Sequence, residues 1–147
     1  DFLLRRGRKI WGIAVDDAHY YDTDRADGGW VMVKSKEFTH ESLMESLLSG
    51  RFYSSSGPEI RDIRIEDGEV IVECSPVNAI HFITYERRGK SIRANGNGPL
   101  TSAHWKLHGD ELYIRVECED FSGKSAWSNP IYYNPEFLKY VNEDYLS

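Results

Sequence analysis

Asp16, Asp17 and His19 are the residues of this 147-residue chain whose types and spacing best suit chemistry. They follow a short continuous apolar run, residues 10–15, in the stretch IWGIAVDDAHYYD. A run of this kind suits a strand covered on both faces, as in a parallel α/β sheet. In extended chain, residues i and i+2 project to the same side. Asp17 and His19 would then stand together at the C-terminal end of a parallel strand, where α/β folds carry their chemistry. A carboxylate and an imidazole make half of a site for zinc, manganese or iron. Spacing alone favours the plainer reading, a polar loop in which Asp16 or Asp17 caps a turn.

Other constellations are weaker. His104 and His108 have the spacing of a helical metal pair, but Trp105 and Leu107 alternate with polar residues and a Gly-Asp turn follows. On a strand the two imidazoles would be ~13 Å apart, too far to share an ion. Both read as surface residues, facing Arg115 and Glu111 across a hairpin. His40 reads as exposed at a helix start, and His81 as a satisfied or surface histidine on a strand. Ser55 and Ser56, within Ser54-Ser55-Ser56-Gly57, could present backbone N–H groups to an anion. No lysine or following helix supports a P-loop there, and a connecting loop is the alternative. Glu117, Glu119 and Asp120 read as solvated acids at a strand end.

Net charge is −6, and the basic clusters at 5–9 and 87–90 are short. That excludes a nucleic-acid surface, which needs a basic patch. Hydrophobic residues make up 40% and charged residues 29%, a globular composition for one ordinary domain. No signal peptide and no apolar stretch long enough for a bilayer is present, and a cytoplasmic location is expected. Cys74 and Cys118 fall on the inward faces of expected strands. They read as buried free thiols, with one bridge between packed sheets as the alternative.

The elements that would position these residues divide in two. Residues 2–7 read as a helix end stopped at Gly7, and 30–35 as a second strand. Thr39 is a good N-cap for a helix over 39–49, with Phe38 and Leu43 placed for a hydrophobic staple. Leu43, Met44, Leu47 and Leu48 form its apolar face. Residues 53–60 read as a small-residue loop.

From Arg61 the apolar period becomes two. A hairpin turning at Asp67-Gly68 sets Ile65 opposite Val70 and Ile63 opposite Val72. A second turns at Arg88-Gly89 with Tyr85 opposite Ile92. A third turns at Gly109-Asp110, with Leu107 opposite Leu112 and Trp105 opposite Ile114. Residues 125–133 are a last strand, expected at an edge because Pro130 interrupts it. The tail from 134 reads as a short helix or turn. The fold class is therefore mainly β: an antiparallel, immunoglobulin-like β-sandwich with one helix and the end of an α/β unit before it. Residues 1–35 form that α/β end, 36–60 a linking helix and loop, and 61–147 the sandwich. With four Trp, nine Tyr and six Phe, a carbohydrate- or protein-binding module or an oligomerisation domain is the competing reading.

Four stretches carry a resemblance. RGRKIWGIAVDDAHYY, GGWVMVKS, LMESLLSGRFYSSSGPEI and YIRVECEDFSGKSAWSNPIYY together resemble PHP-domain proteins (the polymerase and histidinol phosphatase superfamily) from about residue 3 to 132. The resemblance implies a metal-dependent phosphoesterase whose catalytic domain is a distorted (β/α)7 barrel with an added C-terminal part. It implies that Asp17 and His19 match the last metal motif, an Asp-x-His after the final strand, with Asp16 as the neighbouring acid. The family's earlier His and Glu ligands have no counterpart here. A catalytic metal needs about three protein ligands and an open position. The chain is therefore expected to be a C-terminal fragment, inactive alone. Its partner would be the missing N-terminal barrel, its substrate in the intact protein a phosphate ester, and its divalent metals those of the whole enzyme. Its first strand, lacking barrel neighbours, is expected to be disordered or to pair with a copy of itself.

Overall fold

A computed structural model describes residues 1–19, 26–85, 89–96 and 98–133. The expected tail element at 134–147 and the Arg88 turn position lie outside the described residues. Among the described residues, ten antiparallel strands form two sheets. In chain order they are β1 (Trp30–Val33), β2 (Phe52–Ser55), β3 (Ile60–Glu66), β4 (Glu69–Val77) and β5 (Ala79–Thr84). Then come β6 (Lys90–Arg93), β7 (Leu100–Lys106), β8 (Tyr113–Glu119), β9 (Ser125–Ser128) and β10 (Ile131–Tyr132). The larger sheet runs β1-β2-β9-β8-β5-β6, with β10 also on β8. The smaller runs β3-β4-β7.

Period-two alternation built the core. Val70, Val72 and Cys74 of β4 and Ala103 and Trp105 of β7 face Ile80, Phe82, Ile114, Val116, Cys118 and Ala126 of the larger sheet. The β3–β4 hairpin has the expected register, Ile65 opposite Val70 and Ile63 opposite Val72. Asp67 (φ 49°) and Gly68 (φ 74°) both take the left-handed region that a tight two-residue hairpin turn requires. On the outer face Arg64 bridges Asp62 at 2.7 Å and Glu73 at 2.9 Å.

Four pairings differ from the expectations. Trp105 does not sit opposite Ile114, because β7 joins β4 in the smaller sheet while β8 lies in the larger one. Both strands still point inward, so alternation gave the face and not the neighbour. Ile92 lies opposite Ile80, not Tyr85. The expected register differs by an odd number of residues, which would have turned Ile92 away from the core that it now packs against. Residues 52–55 are a strand, not a loop, hydrogen-bonded to β1 on one side and β9 on the other. The strand before Pro130 is not an edge: β9 sits between β2 and β8. Pro130 falls in the jog between β9 and β10, where no ladder N–H is required. There Ser128 Oγ takes the Val116 N–H at 2.8 Å.

The helix α1 (His40–Leu48) starts at Thr39, whose hydroxyl accepts the Ser42 N–H at 3.3 Å. Phe38 is 96% exposed, so no staple forms. Of the expected apolar face, Leu43 and Leu47 are half-buried alongside the buried Ser46, while Met44 and Leu48 are exposed, so the face that packs is rotated toward Leu43 and Leu47. The N-terminal turn, Leu4–Arg6, is a single 3-10 turn ended at Gly7, with Leu4 buried against Leu112 and Tyr113. β1 and β2 lie in the same sheet as β5, β8 and β9.

Candidate functional site

Residues 10–15 do not form a strand. Both sides of β2 are taken by β1 and β9, so no free ladder edge is available to them there. Side chains bind the segment instead. The Ser54 hydroxyl donates to Gly12 O at 2.8 Å and accepts the Ala14 N–H at 3.1 Å. It therefore stands in for a strand neighbour. Asn129 Oδ1 accepts the Gly12 N–H at 3.1 Å, while its Nδ2 donates to Phe52 O at 3.0 Å and Gly50 O at 3.2 Å. Trp11 Nε1 donates to Leu48 O at 3.1 Å, and Tyr132 OH to Arg8 O at 2.8 Å. Ile13 and Val15 are 66% and 65% exposed, and Ile10 is exposed beside them.

Asp16 closes the loop that follows. Its Oδ1 accepts N–H groups from Gly28 at 2.6 Å and Gly29 at 2.9 Å, and its Oδ2 accepts from Asp27 at 3.1 Å. These bonds, Gly29's foremost, hold its carboxyl below the usual aspartate range. Asp16 is thus the turn-capping acid of the plainer sequence reading.

Asp17 and His19 lie just beyond it, both exposed. Asp17 has φ 55°, in the left-handed region. The chain there is not extended, so the alternation rule does not set the relative direction of the two side chains. No three His, Cys, Asp or Glu side chains are grouped to hold a metal ion among the described residues.

Ser55 and Ser56 serve the fold. The buried Ser55 hydroxyl donates to Pro58 O at 2.6 Å and accepts the Gly57 N–H at 2.9 Å. The Ser56 N–H donates to Ser125 O at 2.9 Å, and the Ser56 hydroxyl accepts the Ser125 N–H at 3.0 Å. The Ser56 and Gly57 N–H groups that would face an anion are engaged within the protein.

The remaining candidates stay apart. His104 Nδ1 meets Glu69 Oε2 at 2.9 Å, not Arg115, because β7 pairs with β4. His108 meets Glu111 within one loop, at 3.1 Å. Glu111 is only 2% exposed. Burial pushes its carboxyl up, but the N–H groups of His108 (2.8 Å) and Gly109 (2.9 Å) outweigh that and hold it low. His81 bonds Ser91 Oγ at 2.8 Å. Glu117 pairs with Arg115, and Asp120 caps the turn to Lys124. Trp105 is buried and Trp127 is 36% exposed beside Ile13, lining a small hollow with it.

A larger cleft of about 860 Å³ opens between the two sheets, lined by residues including Trp11, Met32, Arg51, Tyr53, Ile60 and Ile63. Asp16, Asp17 and His19 do not line it. Sequence reasoning passed over Ser54 and Asn129. The local sequence of neither residue records its partner in the segment around Gly12. No helix of the described residues is long and apolar enough to cross a membrane. Compared with known protein families, curated proteins and solved structures, the chain matches none.

Proposed function

We propose that the chain is the C-terminal portion of a PHP-type metal-dependent phosphoesterase, in which it holds one part of a divided metal site and adds an accessory β-sandwich. The observation that carries this reading is the meeting of two distant stretches. Gly12 of GIAVDDAH is bonded to Asn129 of AWSNPI, and these are the two most specific parts of the resemblance. The exposure of Ile10, Ile13 and Val15 also supports it. Three apolar side chains of a run patterned for burial face solvent, as they would once a covering barrel is removed.

Asp17 and His19 offer a carboxylate and an imidazole, donors that fit zinc, manganese or iron. Asp16 would set their place by tying the segment to residues 27–29. Metal ions held by these two residues and by barrel ligands would supply a water of lowered pKa and neutralise the phosphate ester. This chain's share is to anchor Asp17 and His19 through the Asn129 and Ser54 clamp. Alone it is inactive or nearly so.

The test is a calorimetric titration of manganese and of zinc into the chain and its His19→Ala variant. Weak or no binding in both is expected. Tight binding that disappears in the variant would overturn the divided site. In the polypeptide extended by the preceding barrel, the same substitution should remove hydrolysis of a simple aryl phosphate. Full activity there would sink the phosphoesterase reading.

A further inference from the structure

Four strands end the two sheets: β1 and β6 in the larger, β3 and β7 in the smaller. An end strand offers its outer N–H and C=O groups to any strand that comes alongside, and charges or bulges are what keep another chain off. β3 carries Arg61, Asp62, Arg64 and Glu66 and a bulge between Ile60 and Asp62. β6 begins at Lys90 and ends at Arg93, and β7 carries His104 and Lys106. β1 has no charged residue, proline, glycine or bulge. Its hydrogen-bonding phase is set at one end. The Lys34 N–H donates to Arg51 O at 2.9 Å, continuing the register that places Met32 opposite Tyr53 and Trp30 opposite Ser55. Bonded and non-bonded pairs alternate along an antiparallel ladder. Trp30, Met32 and Lys34 therefore turn their backbone groups to β2, and Val31 and Val33 turn theirs to the open side. Among the described residues no backbone bond closes that side. Met32 is 46% exposed beside it.

We propose that β1 is the contact surface for a second copy of this chain, pairing antiparallel with that copy's β1 about a two-fold axis at Met32. The occupant follows from what this axis brings together. Val31 lies opposite the partner's Val33 in a bonded pair, and the axis repeats it. Four N–H···O=C bonds then form from groups that β2 leaves open. Met32 lies opposite the partner's Met32 in a non-bonded pair, where side chains come closest, with Cβ atoms ~4.5–5.5 Å apart. Trp30 lies opposite the partner's Lys34, again twice. Each ammonium meets an indole ring there and not a like charge, a favourable cation–π pairing. Trp30, Met32 and Lys34 alternate onto one face of the sheet, so all three contacts lie side by side. The larger sheet then runs unbroken through both copies. A four-residue strand is a small surface, so the dimer is weak and forms with rising concentration. The inference is independent of the phosphoesterase reading.

The test is the mass of the whole chain in solution, by sedimentation equilibrium from about 10 µM to about 1 mM, the range in which a small interface associates. The mass should rise from the 17.0 kDa of one chain toward twice that value. Met32→Lys and Met32→Glu each set two like charges together at the axis, and each alone should stay at the single-chain mass. An equimolar mixture of the two variants should recover the rise, because opposite charges then meet across the axis. Val33→Pro removes only an N–H on the open side, and it should abolish the rise as well. Thermal unfolding of each variant checks that its fold is kept. A wild-type chain that stays at the single-chain mass at every concentration would overturn the proposal. So would association of Met32→Lys or Val33→Pro at wild-type strength, or a mixture of the two folded charge variants that does not associate.

Discussion

The side-chain oxygen of Asn129 holds the backbone N–H of Gly12 at 3.1 Å, across 117 positions of sequence. The same amide group binds the carbonyls of Gly50 and Phe52. One buried side chain thus joins the N-terminal segment, the start of β2 and the jog after β9.

Asn129→Ala should therefore destabilise the chain by about 1–3 kcal/mol, since it leaves buried backbone groups without partners. Urea unfolding measures the loss. Amide hydrogen exchange should quicken at Gly12 before it quickens in β4 or β8. Unchanged exchange at Gly12 would show that the clamp does not hold the segment.

Gly50 and Trp11 form a second linked pair. Gly50 has φ 74°, and a Cβ there would lie 2.8 Å from the Trp11 ring. Gly50→Ala should cost about 1–3 kcal/mol, from backbone strain and the clash together. In a Trp11→Ala background the added cost should shrink to the backbone part alone, about 1 kcal/mol. Thermal unfolding of the four proteins gives the coupling. Strict additivity would mean that the ring does not rest on Gly50.

Glu111 predicts acid sensitivity. Its folded pKa is lowered, so its contribution is full above the ordinary glutamate range and is lost as pH falls through the lowered value. Stability should begin to decline below about pH 4. Glu111→Gln should cost about 1–3 kcal/mol at neutral pH and flatten that acid slope. Chemical denaturation between pH 3 and 7, roughly the span across which a carboxyl titrates, is the measurement. An unchanged slope in the variant would remove Glu111 as its source.

Ile13 separates fold from function. It is 66% exposed, so Ile13→Lys should change the stability of this chain by no more than about 0.5 kcal/mol. On the proposed reading, in which a preceding barrel covers that surface, the same change should weaken the contact and lower hydrolysis by the extended polypeptide. A large loss of stability in the isolated chain would show instead that Ile13 already packs within it.

Much of the architecture was legible because side-chain alternation is local. Ile63, Ile65, Val70, Val72 and Cys74 were placed on the inward face of a hairpin from their spacing and from Asp67-Gly68, and they are there. Thr39 and the helix after it were legible for the same reason, since a cap acts on its own first turn. At the candidate site, the plainer reading of Asp16 as a turn cap was legible in the type and position of the residue. The clamp around Gly12 was not. Hydrogen bonds from Ser54 and Asn129 join residues 42 and 117 positions away, and no local pattern records such a partner.

Period-two spacing sets which side of a strand faces the core, and so the sequence by itself determined a β-sandwich and the residues that fill it. It leaves open which strand lies alongside, because each inward face is equally satisfied by any neighbour that buries it. Only the tertiary structure decided that β7 joins β4 while β8 joins β5 and β9. That division between the sheets sets Cys74 and Cys118 on opposite sides of one core. The sheet's own neighbours close both edges of β2, and the run before Asp16 is left to be held by side chains.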